Sequence, residues 1–525
     1  MNRILQKLGA LGIAGLLMAG TALPAFASDT NITADITING KGSAYTAYRL
    51  MDLKTGLKAG HTPHEGTDHT DDCYAYAYSV NETYAAALRT ALGLDAAATN
   101  DDILAAIEAL SAPEAVREFA DAVFLQIKDM TADKTDTNKV FADMPQGYYL
   151  IVETDTTGEG DARSLVMLDT AGQADITVDS KEDVPKLTKQ IKDTNDTTGE
   201  TSEWQDAGDF DIGDDVEFKL TGTLPKNIAN FSAYKYIFHD NLSAGLSFKA
   251  DSVEVMAGTT KLAASEFTVT STGTKDNCSF EVAINDVIGL LNAGKLTADS
   301  EITVTYKATL TDAAKFGADG NDNTAHLEFS RDPYNTDDTT KTPDDRVVGF
   351  TFKLKVDKTD SDNNPLQGAE FKLQKFVNGE WADYKTLDIQ PTNTTFNFQG
   401  LDSGKYKLIE TKVPSGYNKA DDIEFEVVAD YTKTSTSGNG TDLTLTSLVV
   451  KNKDGVVISE GDDAAFTAEM TPGQLSTIVV NSSGIKLPST GDRGAYLVYG
   501  LGAVGVIGAG LAGVMYSKRK KNNAQ

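Results

Sequence analysis

Hydrophobic and polar positions alternate along most of this chain, interrupted by one block of helical periodicity and by a continuous apolar run near each end. Segments 32–38 and 44–50 have the two-residue period of half-buried strands. Between 81 and 130, Ala, Leu and Ile recur at helical spacing. The pattern predicts helices at 82–92 capped by Asn81, at 101–110 capped by Asn100, and from Pro113 to about 130. Strands return at 147–154, 164–169 and 174–178. Alternating or β-branched segments follow at 215–220, 234–239, 266–272 and 301–310, with a short helical piece at 284–292. A last series occupies 349–356, 369–375, 394–398, 405–410, 423–428, 443–450 and 474–480. The chain therefore reads as mainly β, a tandem of β-sandwich domains at 28–183, 184–345 and 346–486, the first with a helical insertion.

The apolar runs mark export and anchoring. Arg3 and Lys7 precede apolar residues 8–22, and Ala25-Phe26-Ala27 completes a secretory signal, 1–27, cut between Ala27 and Ser28. The uncharged run 495–516 is long enough to cross a bilayer as a helix, and the basic tail 517–525 would stay in the cytoplasm.

Composition narrows the function. A net charge of −30 disfavours nucleic acid as a partner and favours a soluble, self-repelling surface. The two cysteines, Cys73 and Cys278, are too few and too far apart for a disulfide framework, so an exported chain of this length needs another form of stabilisation.

Leu487-Pro488-Ser489-Thr490-Gly491 stands just before the C-terminal apolar run. This pentapeptide, the hydrophobic stop and the basic tail together closely resemble the cell-wall sorting signal of Gram-positive surface proteins, here 487–525. The resemblance implies cleavage by a sortase between Thr490 and Gly491 after transient membrane anchoring, and covalent attachment to peptidoglycan or to another subunit.

Two segments of the third domain carry the sharpest chemistry. Lys355-Val356-Asp357-Lys358-Thr359-Asp360 leads to Pro365-Leu366-Gln367-Gly368-Ala369-Glu370-Phe371, and Gly404 begins a stretch running through Glu410-Thr411-Lys412-Val413-Pro414-Ser415-Gly416-Tyr417. Together they resemble the collagen-adhesin B-type, prealbumin-like domain and the E-box of Gram-positive pilins. In that family a lysine of the first strand forms an amide with an asparagine of the last strand beside a catalytic acid. The resemblance assigns these roles to Lys358, Asn481 and Glu410. An amine attacks a carboxamide only when neutral, and burial lowers a lysine pKa while raising that of a carboxyl, so the chemistry needs no cofactor or metal.

The second domain resembles the Ig-like middle domain of major pilins through its segments 187–193, 236–242 and 320–330. It implies the lysine Lys189, the acid Asp240 and the asparagine Asn323, with Asn321 as the alternative. Lys189 and Asn323 are 134 positions apart and Lys358 and Asn481 are 123 apart. By analogy with a disulfide, each link would add about 5 kcal/mol by restricting the unfolded chain. The first domain has an E-box-like Glu153 but no asparagine in its last strand, so a Lys–Asn link is not expected there. A link from Lys41 to an aspartate stays open.

Polymerisation in the family uses a lysine in a motif like Val-Tyr-Pro-Lys between the first two domains. Val178-Asp179-Ser180-Lys181 occupies that place without the Tyr-Pro pair, and Lys186 after Pro185 is the second choice. Other motifs carry less. The loop 61–73 holds His61, His64, His69 and Cys73 but lacks helical ligand spacing and reads as a solvated loop. Gly500-Leu501-Gly502-Ala503-Val504-Gly505 matches a dinucleotide fingerprint inside the membrane run, where small-residue packing explains it. Asp360-Ser361-Asp362-Asn363-Asn364 opens like a calcium loop, yet Pro365 stands where glycine is required.

The resemblance covers nearly the whole chain and implies the backbone subunit of a sortase-assembled pilus, active in adhesion and not an enzyme. Its implied partners are a sortase, further copies of the chain in a covalent homopolymer, peptidoglycan and a host surface or matrix ligand. A monomeric wall-anchored adhesin or an ancillary base or tip pilin is the alternative.

Overall fold

The computed structural model describes residues 33–39, 44–57, 74–154, 163–171, 173, 175–179, 184–333, 335–387 and 390–484. The expected signal segment, Lys41, loop 61–73, Lys181 and the sorting signal lie outside them. No helix among the described residues is long and apolar enough to cross a membrane.

The described chain forms two compact units. The first takes residues up to Pro185 together with Pro225–Lys235 and Phe329–Lys341. Its strands are β1 Thr33–Asn39, β2 Tyr45–Leu57, β3 Tyr74–Val80, β4 Lys134–Asp136, β5 Val140–Pro145, β6 Gly147–Glu153, β7 Leu165–Asp169 and β8 Asp175–Asp179, with helices α1 Ala85–Ala91, α2 Asn100–Glu108 and α3 Pro113–Ile127. One sheet runs β3-β2-β6-β7 and a smaller one β5-β1-β8. The β2 and β6 strands are buried on both faces. Leu50, Leu150 and Val152 meet Leu88, Ile103 and Val123 of the helices, while Ala47, Tyr149 and Ile151 meet Ile36 and Phe141 of the smaller sheet. That double burial is why β6 reads as a continuous apolar run rather than an alternating one.

The helices start elsewhere than the sequence suggests. Thr99, not Asn100, caps α2: its hydroxyl accepts the Asp102 amide while the Asp102 carboxylate accepts the Thr99 amide, a reciprocal pair that Asn100 cannot make from inside the helix. Asn81 accepts the Thr83 amide and donates to the Arg49 carbonyl, closing a turn before α1 starts at Ala85.

The second unit comprises Lys186–Leu224, Tyr236–Glu328 and Thr342 onward. Its first part contains β9 Leu187–Lys192, β10 Thr194–Asn195, β11 Glu200–Thr201, β12 Ala207–Asp209, β13 Asp215–Thr223, β14 Tyr236–Leu242, β15 Leu246–Ala257, β16 Thr260–Lys261, β17 Phe267–Thr270, β18 Phe280–Ile284, α4 Val287–Asn292, β19 Glu301–Leu310 and β20, which starts at Asn321. After β21, Asn335–Lys341 of the first unit, comes β22 Asp345–Phe350. The sheets run β16-β15-β19-β13-β9 and β12-β22-β20-β14-β18-β17. The long strand β15 escapes the sequence pattern because its ladder to β19 breaks register between Lys249 and Glu254, which upsets the alternation.

The remainder is a sandwich of β23 Phe352–Asp360, β24 Glu370–Val377, β25 Glu380–Thr386, β26 Thr395–Leu401, β27 Gly404–Lys412, β28 Ile423–Tyr431, β29 Leu445–Lys451, β30 Phe466–Glu469 and β31 Gln474–Asn481. Its sheets run β26-β23-β31-β30 and β25-β24-β27-β28-β29. The core includes Leu354, Val356, Leu373, Phe398, Tyr406, Leu408, Phe425 and Leu475. The first strand β23 and the last strand β31 pair in parallel, as β1 and β8 do in the first unit.

Candidate functional site

Alternation places the reactive groups of the last sandwich. Strand β23 buries Phe352, Leu354 and Val356, and the same phase delivers Lys358 to the interior. Strand β31 buries Leu475, Thr477 and Val479 and then Asn481, while β27 buries Tyr406 and Leu408 and then Glu410. Lys358, Glu410 and Asn481 are 0%, 3% and 1% exposed, so all three polar groups sit where the pattern reserves space for apolar ones.

The parallel register sets Lys358 opposite Val479 and Asp360 opposite Asn481, so lysine and asparagine leave adjacent strands on one face. Lys358 Nζ donates to the carbonyls of Thr359 at 2.8 Å and Val479 at 3.1 Å. Asn481 Nδ2 donates to Glu410 Oε1 at 2.7 Å, and Glu410 Oε2 accepts the Ala420 amide at 2.8 Å. Asn481 Oδ1 is buried without a hydrogen-bond partner. Desolvation pushes the Lys358 pKa down to about 8, against the opposing pull of Glu410 and Asp360. That shift raises the neutral, nucleophilic fraction of the amine near neutral pH.

The first sandwich of this unit has a second constellation. Lys189 of β9 donates through Nζ to Asp240 Oδ2 and, at 2.9 Å, to the hydroxyl of Tyr306 on β19. Tyr306 donates to Asp240 Oδ2 at 2.7 Å and accepts from Asn323 Nδ2 at 2.7 Å. Lys189, Asp240, Tyr306 and Asn323 are each at most 1% exposed. Burial pushes the lysine pKa down and that of Asp240 up, and in both cases their mutual attraction opposes the shift. The rings of Phe218 and Tyr306 lie 5.6 and 5.4 Å from the amine. Asn321 is engaged elsewhere, with the backbone of Lys315 and Gly349, whereas Asn323 shares the Tyr306 hydroxyl with the lysine. Sequence reasoning missed Tyr306, because a tyrosine in an alternating strand is ordinary core.

It also missed Lys375 of β24. This lysine is 1% exposed, and its Nζ lies 2.7 Å from Asp196, 2.6 Å from Asp211 and 2.7 Å from Asp402. Burial opposes its charge, but Asp402 and Asp211 outweigh burial and hold its pKa above the ordinary value. The cluster ties loops of the first sandwich to the second.

Other sequence candidates are placed more simply. Glu153 at the end of β6 is fully buried, and its carbonyl accepts from Arg163 Nη1 at 3.2 Å. Lys186 is exposed, with its amide donating to Thr223 Oγ1 at 2.9 Å. Lys181, Ala27, Ser28, Leu487, Pro488, Ser489, Thr490 and Gly491 lie outside the described residues.

Residues 352–441 match the SpaA-type prealbumin-like fold domain, and residues 479–524 match the LPXTG cell wall anchor motif. The chain is thus a secreted, LPXTG-anchored cell-wall protein of the Gram-positive type. It is 28% identical over 401 residues to the trypsin-resistant surface T6 protein of Streptococcus pyogenes serotype M6, covering 65% of this chain and 70% of that one. Its fold is similar to that of the T6 backbone pilin of serotype M6 S. pyogenes, described as a modular three-domain structure, with a TM-score of 0.51 at 17% identity over 88% of this chain and 100% of the other. The full-length major pilin SpaD of Corynebacterium diphtheriae aligns at a TM-score of 0.45 and 19% identity over 87% and 99% of the two chains. The T6 match and the prealbumin-like domain agree with the mainly β, multi-sandwich architecture described above.

Proposed function

We propose that this chain is the structural backbone subunit of a sortase-assembled pilus, with each domain of the second unit locked by a self-made amide. The observation that supports this reading is the repeated burial of a lysine, an acid and an asparagine together, Lys189, Asp240 and Asn323 in one sandwich and Lys358, Glu410 and Asn481 in the other. The neutral amine attacks the carboxamide carbon and its proton passes to the acid. The acid returns a proton to the asparagine nitrogen, which leaves as ammonia while the new amide remains. Glu410 already holds that nitrogen, and in the other site Tyr306 bridges acid and carboxamide.

In this reading a sortase cuts between Thr490 and Gly491 and joins Thr490 to Lys181, or to Lys186, of the next copy, and finally to peptidoglycan. A role in adhesion to host surfaces rests on the family resemblance alone. The departure of Val178-Asp179-Ser180-Lys181 from the family motif favours one second reading, a monomeric wall-anchored adhesin or an ancillary pilin. Covalent ladders in a cell-wall extract, lost on Lys181→Ala or Lys186→Ala, support the shaft role. A single anchored species supports the second reading.

Intact mass of residues 28–486 tests the amide chemistry. Each link lowers the mass by about 17 Da, the ammonia lost when a carboxamide becomes a secondary amide. Two deficits are expected, with one removed by Lys358→Ala and the other by Lys189→Ala. An unshifted mass in folded protein would remove the chemistry from the reading.

A further inference from the structure

His239 adjoins Asp240 on β14, and the strand pleat turns the two side chains to opposite faces of the sheet. On its own face His239 is 2% exposed. Glu281 of β18 is its partner across the antiparallel ladder, Cys278 stands just before that strand, and Glu328 comes from β20 on the other side. The Nε2 atom of His239 lies 3.0 Å from Glu328 Oε2, and Glu328 Oε1 is held by Lys275 Nζ at 2.9 Å. The Nδ1 atom faces Cys278 Sγ at 3.7 Å and Glu281 Oε1 at 3.4 Å. The Lys275 amide donates to that same Glu281 oxygen, and the His326 ring stacks behind His239 at 4.9 Å.

Three potential ligand atoms, a ring nitrogen, a thiol sulfur and a carboxylate oxygen, therefore converge within 4.8 Å of one another, the thiol also lying 3.4 Å from the Phe280 carbonyl. Tetrahedral zinc, with bonds of about 2.0 Å to nitrogen, about 2.3 Å to sulfur and about 2.1 Å to oxygen, sets N···S and N···O edges of about 3.6 and about 3.4 Å. The separations of 3.7 and 3.4 Å agree with those edges. Glu328 adds an independent sign. A metal-ligating imidazole gives its other N–H to a carboxylate, which leaves the lone pair on the ligating nitrogen, here Nδ1. Thiolate with imidazole selects the zinc class over calcium or magnesium, which take oxygen ligands.

We propose that His239 Nδ1, Cys278 Sγ and Glu281 Oε1 form a site for a divalent transition metal of the zinc class, with water as the fourth ligand and Glu328 orienting the imidazole. On binding, the Cys278 thiol releases its proton to solvent, and no electron is transferred. The metal joins strands β14 and β18 and the turn before β18 on the outer face of the sheet whose inner face carries Asp240.

Cobalt(II) titration of the reduced, chelator-treated mature chain tests the site. The expected result is a single tight equivalent with a thiolate-to-cobalt charge-transfer band and the intense visible bands of tetrahedral cobalt, displaced by zinc. Cys278→Ser abolishes the charge-transfer band, Glu328→Gln weakens affinity by about 10–100-fold while keeping the band, and Cys73→Ser changes neither. Unchanged ammonia-loss mass in the variants confirms folding. Absence of the band in the parent protein, or its survival in Cys278→Ser, overturns the proposal.

Discussion

Asn481 Nδ2 lies 2.7 Å from Glu410 Oε1 in the interior of the last sandwich, while the oxygen of the same carboxamide has no hydrogen-bond partner. The acid thus holds the leaving nitrogen, and the unpaired oxygen has an open position for a proton or hydrogen-bond donor as charge develops on it during attack. Glu410→Ala keeps both reactants. It should leave the mass about 17 Da above the value calculated for the same variant with both links formed, and cost about 5 kcal/mol through loss of the link, read by intact mass and denaturant unfolding. Normal linkage in this variant would exclude Glu410 from the reaction.

Tyr306→Phe removes the hydroxyl that connects Lys189, Asp240 and Asn323. Link formation in that sandwich should slow while the Lys358–Asn481 deficit appears at the parental rate. Before linkage the variant should lose about 1–3 kcal/mol from stranded buried polar groups. A mass time course after refolding separates the two sites, and equal rates in both would assign Tyr306 to packing alone.

Lys375→Met leaves Asp196, Asp211 and Asp402 together without their cation. The expected cost is about 3–5 kcal/mol, measured by urea unfolding. Adding Asp211→Asn and Asp402→Asn should recover most of it, since the penalty lies in the unpaired carboxylates. Failure of that rescue would point to lost packing instead.

Burial, with Asp209 close by, raises the Asp193 pKa to about 7, and burial beside Asp211 raises that of Asp214 to about 6. Both are above the unfolded value of 3.8. Between about pH 4 and about pH 7 the native state then holds more protons than the unfolded state, so this contribution to stability falls as pH rises. The urea midpoint should decline across that window, and Asp193→Asn with Asp214→Asn should flatten the decline. An unchanged slope in the double variant would trace it to other groups.

The mainly β architecture was legible because most strands bury one face, and alternation survives wherever the partner sheet is regular. It failed at β15, where a break in register scrambles the phase, and at α2, where Thr99 and Asp102 cooperate in a way that Asn100 alone does not reveal. Lys189, Lys358, Asn323 and Asn481 each stand at a position that the alternation assigns to an apolar residue, a signal present in the sequence itself. Tyr306 carried no such signal, being an apolar ring in the right phase. His239, Cys278, Glu281 and Glu328 are scattered over 90 positions and meet only through the strand order β20-β14-β18, which no local pattern encodes.

The parallel pairing of β23 with β31 fixes how the last sandwich carries load. A force applied at the start of β23 and the end of β31 would act at opposite ends of the shared ladder. Without the proposed Lys358–Asn481 amide the two strands could part only by sliding, with the whole row of hydrogen bonds resisting together. A hairpin pulled from its open end would instead peel one bond at a time.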